Sequence, residues 1–224
     1  MYIPDLYRTD DKEWPVRILE ENPLGLLTTH ASSSAPPFAT HLPVIIPSGS
    51  RDALLQDEKW RGATLLGHMN RANPHWQSLA DGTPARIVFQ GPGAYVSPSV
   101  YHTDPAAPTW DFTAVHVQGT LWPVRDEAET LAIVTATATE LERKFGTGWC
   151  PHSSTEYFRQ LLAGVGAFEL RVDTMDAMFK LSQEKSHEIR NGVVDWFVQG
   201  QHGRSRELAS LMAEFYKDDR GTGA

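Results

Sequence analysis

The chain has 224 residues, a hydrophobic fraction of 41%, a charged fraction of 21% and a formal net charge of −8, enough to bury a core without disulfide or metal staples. The single cysteine, Cys150, excludes an internal disulfide, and no run approaches the roughly 18 apolar residues that cross a bilayer, so a cytoplasmic protein without a membrane partner is expected. Lys and Arg are scattered singly among more numerous acids, which disfavours a nucleic-acid partner, because phosphate neutralisation calls for a basic stripe.

Met1–Asp5 lacks the basic start and apolar run of a secretory signal. Val16 to Glu21 reads as part of a short helix with Pro15 in its first turn. Residues 24–30 and 40–46 are compact apolar, β-branched runs, separated by a loop at 31–37, and read as strands. The polar stretch 48–61 reads as a turn or hairpin tip. Residues 63–68 form a third strand candidate. Asn73-Pro74 then caps and opens a short helix through Leu79. Residues 85–90 read as a strand interrupted by Gly91-Pro92-Gly93 and resumed at 94–97, and 114–122 as another.

Asp126 with Glu129 three residues on is a helix start. Leu131, Val134, Ala138, Leu141 and Phe145 follow at spacings of three and four, which predicts their burial on one face, with Gly146 as the stop. Ser153 with Glu156 opens a helix through Leu162. Residues 168–172 and 177–181 read as a hairpin pair, and two polar helices near 186–198 and 204–217 close the chain. Many short strands with few helices between them point to a barrel. The reading is one domain over 1–224, mainly β with helical additions (α+β).

Four clusters concentrate chemistry. Gly67 to Trp76 sets His68, Arg71 and Asn73 at a strand-to-helix junction, where free N–H groups point forward. Arg71 suits a phosphate or carboxylate. His68 and His75, seven apart without a Cys or carboxylate at ligand spacing, do not make a zinc site; a lone histidine there is either a hydrogen-bonded structural group or a ligand. Gln90 to Tyr101 offers the hydroxyls of Tyr95, Ser97, Ser99 and Tyr101 around glycines, or is simply a strand with a bulge. Pro108 to Gly119 holds Trp110, a wall for a flat ring, and His116, placed as a core histidine. Phe179 to Gln183 sets Lys180, Ser182 and Gln183 where they hold an anionic tail or cap a solvated strand end.

In this order the four clusters, with Met1-Tyr-Ile-Pro4, Ala39-Thr-His-Leu-Pro43, Pro108-Thr-Trp110 and Ala114-Val-His-Val117, resemble the PaiB-type flavin-binding split-barrel proteins, the FMN-binding negative transcriptional regulators. The likeness runs to about residue 195. It implies a split β-barrel that forms a homodimer, with cofactor pockets near the subunit interface. Phe145-Gly-Thr-Gly-Trp149, Tyr157 to Leu162 and Gly164 to Phe168 are similar to an offshoot, the piperazate synthases, which use haem b and join the two nitrogens of L-N5-hydroxyornithine to give L-piperazic acid.

On that resemblance His68 is the iron ligand and Arg71 a propionate partner. Tyr95, Tyr101 and His102 are acid–base candidates, and Arg8 or Lys180 holds the substrate carboxylate. Asn73, Ser97, Trp110, Lys180 and Ser182 complete the cofactor pocket. The alternative is FMN in a regulator or flavin oxidoreductase, with Lys180, Ser182, Arg71 and Tyr95 on the phosphate and ring and Trp110 stacked nearby. A haem-degrading protein on a related barrel is a further alternative.

Overall fold

The computed structural model describes residues 1–30, 36–56 and 60–219. Six antiparallel strands close into a barrel in the order β1-β2-β3-β6-β5-β4: β1 (Leu24–Thr29), β2 (Phe38–Ile45), β3 (Thr64–Asn70), β4 (Thr83–Val96), β5 (Thr109–Pro123) and β6 (Val165–Lys180). Closure is carried by β1, which pairs with β2 through Leu26↔His41 and with β4 through Leu27↔Ile87. The helices are α1 (Glu13–Glu21), α2 (Ser48–Gln56), α3 (Pro74–Gln77), α4 (Glu127–Phe145), α5 (Thr155–Leu161), α6 (His187–Gln199) and α7 (Ser205–Asp219).

The chain divides into two compact units. The first comprises Met1–Asp11, Gln90–Ala114 and Ala177–Ala224, and the second Lys12–Phe89 and Val115–Asp176. The second unit buries Ile18, Leu27, Leu65, Ile87, Phe89, Leu121 and Phe168, each full burial of such a side chain contributing about 1.5–3 kcal/mol. The first unit buries Phe179, Leu181, Phe197, Leu208 and Met212, with Phe179 stacked on Phe215 at 5.6 Å.

Several sequence expectations are corrected. The predicted hairpin of 168–172 and 177–181 is one strand, β6, because residues 173–176 stay extended, with no positive φ to turn the chain, and Met175 within them is buried. Gly91 to Gly93 do not interrupt β4, which runs unbroken to Val96. Gly93 is there for close approach: a Cβ would lie 3.0 Å from Phe112 Cβ and 3.1 Å from the Trp110 indole nitrogen. The polar stretch at 48–61 contains α2 rather than a turn, with Leu54 buried and Arg51 bridging Glu13 and Glu20 of α1 at 2.7 and 3.0 Å. Residues 57–59, and 31–35 of the predicted 31–37 loop, lie outside the described residues.

On α4 the buried stripe is Thr130, Ile133 and Thr137, not 131/134/138/141/145, and Phe145 is exposed. The threonine hydroxyls make this possible, since Thr130 and Thr137 donate to the carbonyls of Asp126 and Ile133 four residues back, at 2.8 Å each. The helix start is as expected: the Asp126 carboxylate accepts from the Glu129 N–H at 2.9 Å. Asp126→Ala is expected to cost about 1 kcal/mol in urea unfolding, with Asp126→Ser restoring most of it. A midpoint unchanged in the alanine variant would show that the cap is dispensable.

Candidate functional site

His68 sits on β3, opposite Ala167 of β6. Leu65, Gly67 and Met69 point to the buried side, whereas Leu66 and His68 lie half-buried on the other. Leu66 packs there on Val124, Ile133 and Ala167. Gly67 is required by its neighbour, since a Cβ would come within 2.6 Å of the Phe168 ring. The His68 Nδ1 is buried without a hydrogen-bond partner among the described residues. Burial pushes the imidazole pKa below its usual value, so at neutral pH the ring is uncharged and carries one lone pair. A neutral imidazole with a nitrogen not already engaged is what a metal centre requires.

His75 is the opposite case. It is 1% exposed and stacked on Phe38 at 5.1 Å, with Nε2 bonded to the Thr29 hydroxyl at 2.9 Å and Nδ1 to that of Thr40 at 2.8 Å. Both nitrogens are used, so it is a structural histidine. Asn73 is spent on the same junction, its side-chain oxygen accepting from the His75 N–H at 3.0 Å as the cap of α3. Arg71 is half-buried and fixed by its Nε, which donates to the Val165 carbonyl at 2.7 Å. His116, on β5, shares the features of His68: Nδ1 is unpartnered among the described residues and burial lowers the ring pKa. No three His, Cys, Asp or Glu among the described residues gather in a way that could hold an ion.

The remaining candidates belong to the first unit. Ser182 is fully buried at φ +63°, and its hydroxyl donates to Asp111 Oδ2 at 2.6 Å. Lys180 Nζ donates to the Thr109 hydroxyl. The Gln183 side chain accepts from the Leu181 N–H at 2.7 Å and donates to the Phe179 carbonyl. All three side chains therefore fasten the turn that follows β6. Asp111 is itself fully buried, and its Oδ1 has no partner among the described residues. Burial drives its pKa up to about 6, with Glu184 adding to the rise while the Ser182 bond and Lys180 oppose it.

Tyr101 is buried under the Lys185 ammonium, 4.6 Å from the ring centroid, with its hydroxyl unpartnered among the described residues. Burial, then Asp111 and Glu184, raise its pKa, so it keeps its proton. His102, next in sequence, is exposed at φ +50°. Ser97 caps the short 3-10 turn Pro98–Tyr101, and its hydroxyl is 2.8 Å from that of Ser99. Tyr95 and Trp110 are about half exposed, their rings 6.3 Å apart and tilted. Arg8 is exposed and paired with Asp5 at 3.4 Å.

His68, Arg71 and Asn73 thus lie in the second unit, and Tyr95, Ser97, Tyr101, His102, Trp110, Lys180 and Ser182 in the first. Sequence reasoning missed Asp111 and Glu184. Asp111 is an acid at an inward position of an alternating strand, a signal that was available.

No helix among the described residues is long and apolar enough to cross a membrane. The family model described as "Putative FMN-binding domain" matches residues 1–174. "Protease synthase and sporulation protein PAI 2" of Bacillus subtilis is 28% identical over 97% of this chain and 99% of its own length. Among solved structures, an FAD and haem binding protein from Mycobacterium smegmatis superposes with a TM-score of 0.54 at 15% identity, covering 89% of this chain and 82% of that one. The flavocytochrome Anf3 from Azotobacter vinelandii does so at 0.51 and 14%, covering 89% and 78%. With the closed six-stranded barrel in place and most of its length matched, the chain belongs to the FMN-binding split-barrel family.

Proposed function

We propose that this chain is a haem b-dependent member of the family that converts L-N5-hydroxyornithine to L-piperazic acid and water, working as a cytoplasmic homodimer. The observation that supports this most is His68, a neutral, half-buried imidazole whose Nδ1 nothing else among the described residues engages. His68 would hold the iron, and the anchored Arg71 guanidinium would pair with a propionate. When bound, haem b supplies a Lewis-acidic iron that weakens the hydroxylamine N–O bond.

The chain's own residues have the remaining tasks. The reaction forms one N–N bond, breaks one N–O bond and is redox-neutral, so one proton must leave the α-ammonium and the departing hydroxide must gain one. Tyr95, Tyr101 and His102 are the candidates for this relay; of the three only Tyr101 is buried, with its hydroxyl unpartnered among the described residues. Lys180 or Arg8 would hold the substrate carboxylate, and orienting the flexible chain for ring closure is worth several kcal/mol, within the roughly 7–11 kcal/mol that proximity can supply.

The flavin reading is favoured by the family's description. It would place the FMN phosphate on Lys180 and Ser182. That placement fits the residues poorly: the Ser182 hydroxyl is fully buried on Asp111, and the phosphate would face that carboxylate. An absorption spectrum of the purified protein, before and after addition of haemin or FMN, tests the proposal. An intense Soret band is expected. Paired flavin bands with no Soret response to haemin would overturn the haem reading.

A further inference from the structure

Asp111 is the group of the first unit that folding alone explains least. It is fully buried on β5, its Oδ2 accepts from the Ser182 hydroxyl at 2.6 Å, and its Oδ1 has no partner among the described residues. A buried carboxylate oxygen without a donor is costly, and an asparagine of the same shape would bring no charge there. A charge kept at the expense of stability marks a task. What Oδ1 lacks is a hydrogen-bond donor, and a carboxylate is served best by a cationic one.

A cation of the chain already stands beside Asp111 without filling this gap. Thr109 and Asp111 are two apart on β5 and share a face of the strand. β6 neighbours β5 in the barrel. Lys180 at its end donates to the Thr109 hydroxyl, and Ser182, two residues on, donates to Asp111. These two contacts set an ammonium next to a carboxylate. Burial and the Glu184 charge raise the Asp111 pKa, and the Lys180 charge opposes the rise. Glu184 makes the surroundings more negative still, which favours a cationic guest. Tyr7 faces the same pair of acids: burial first, then Glu184 and Asp111, raise its pKa. Its hydroxyl meets Glu184 at 3.4 Å, a long exposed contact that costs little to break. A cation and an anion held at adjacent positions match the head group of an α-amino acid, the Lys180 ammonium for its carboxylate and the open Oδ1 for its ammonium.

We propose that Asp111 binds the α-ammonium of an α-amino acid whose carboxylate lies on Lys180, and that Asp111 takes the proton this ammonium must lose. The transfer breaks one N–H bond, forms one O–H bond on Oδ1 and frees the nitrogen electron pair for bond formation. The proton transfer rests on the N5-hydroxyornithine reading; the head-group site does not. Calorimetric titration of the purified protein at pH 7.5 with L-ornithine, and with 5-aminopentanoate, the same chain without the α-amino group, tests it. Ornithine has no N–O bond, so binding is read without turnover. Saturable ornithine binding is expected, at least tenfold tighter than 5-aminopentanoate. Asp111→Asn should bring the two within threefold of each other, whereas Lys180→Met should weaken both by a similar factor. No saturable ornithine binding, a smaller preference in the parent, or an Asp111→Asn chain that keeps the preference would overturn the proposal. The expected pattern in a protein without a Soret band would leave the site standing and remove the haem reading. Turnover of N5-hydroxyornithine by Asp111→Asn at the parent rate would leave the haem reading standing and remove Asp111 from the reaction.

Discussion

At pH 8 the Asp111→Asn chain is expected to resist urea better than the parent, and the advantage is expected to vanish by about pH 4. The cause is the buried carboxyl on β5, whose pKa is raised from 3.8 to about 6, chiefly by burial. For an acid raised on folding, the native state binds its proton more tightly than the unfolded chain does. The stability this gives is fully present below the unfolded value and is lost as pH rises through the folded one. The window is therefore about pH 4 to 6. A shift of about two units corresponds to roughly 3 kcal/mol. Asparagine removes the charge but also replaces the charge-assisted bond from Ser182 by a neutral one, worth about 1 kcal/mol less. The net gain above pH 7 is thus about 1–3 kcal/mol. Parallel pH profiles for parent and variant would show that Asp111 is not the buried charge that the geometry makes it.

The same residue marks where sequence reading stops. Asp126 and Asn73-Pro74 announced α4 and α3 correctly, because a cap is a local interaction between neighbours in the chain. The barrel followed from strand count and turn chemistry. What the sequence could not show was pairing across long separations. Ser182 reads as a free hydroxyl until folding sets it on Asp111, 71 residues away. His75 and His68 look alike in the segment that holds both, and only Thr29 and Thr40 separate them, by occupying both nitrogens of one. Gly91-Pro92-Gly93 reads as a break because the role of Gly93, close packing against Trp110, is tertiary. On α4 the apolar periodicity was real, but two threonines that return their hydroxyls to the helix backbone are as easily buried as leucines.

His68→Ala is expected to abolish stable haem retention, raising the dissociation rate by on the order of a hundredfold or more, since loss of even an outer partner of a metal ligand costs roughly 10–100-fold. The fold should survive. His68 is half-buried on the side of β3 away from Gly67 and Met69, and its Nδ1 makes no bond among the described residues that alanine would break. Removing it leaves no buried partner unsatisfied, so the urea midpoint should move by less than about 1 kcal/mol. Transfer of haemin from the loaded protein to excess apomyoglobin, followed at the Soret band, measures the rate, and added imidazole should slow the loss by replacing the missing ring. A variant that holds haem as the parent does, with an unchanged spectrum, would remove His68 as the ligand. His116 would then be next, because burial leaves it with the same neutral ring and the same unpartnered Nδ1. His75→Ala is the informative contrast: it strips partners from Thr29 and Thr40, so it should cost stability rather than bear directly on the iron.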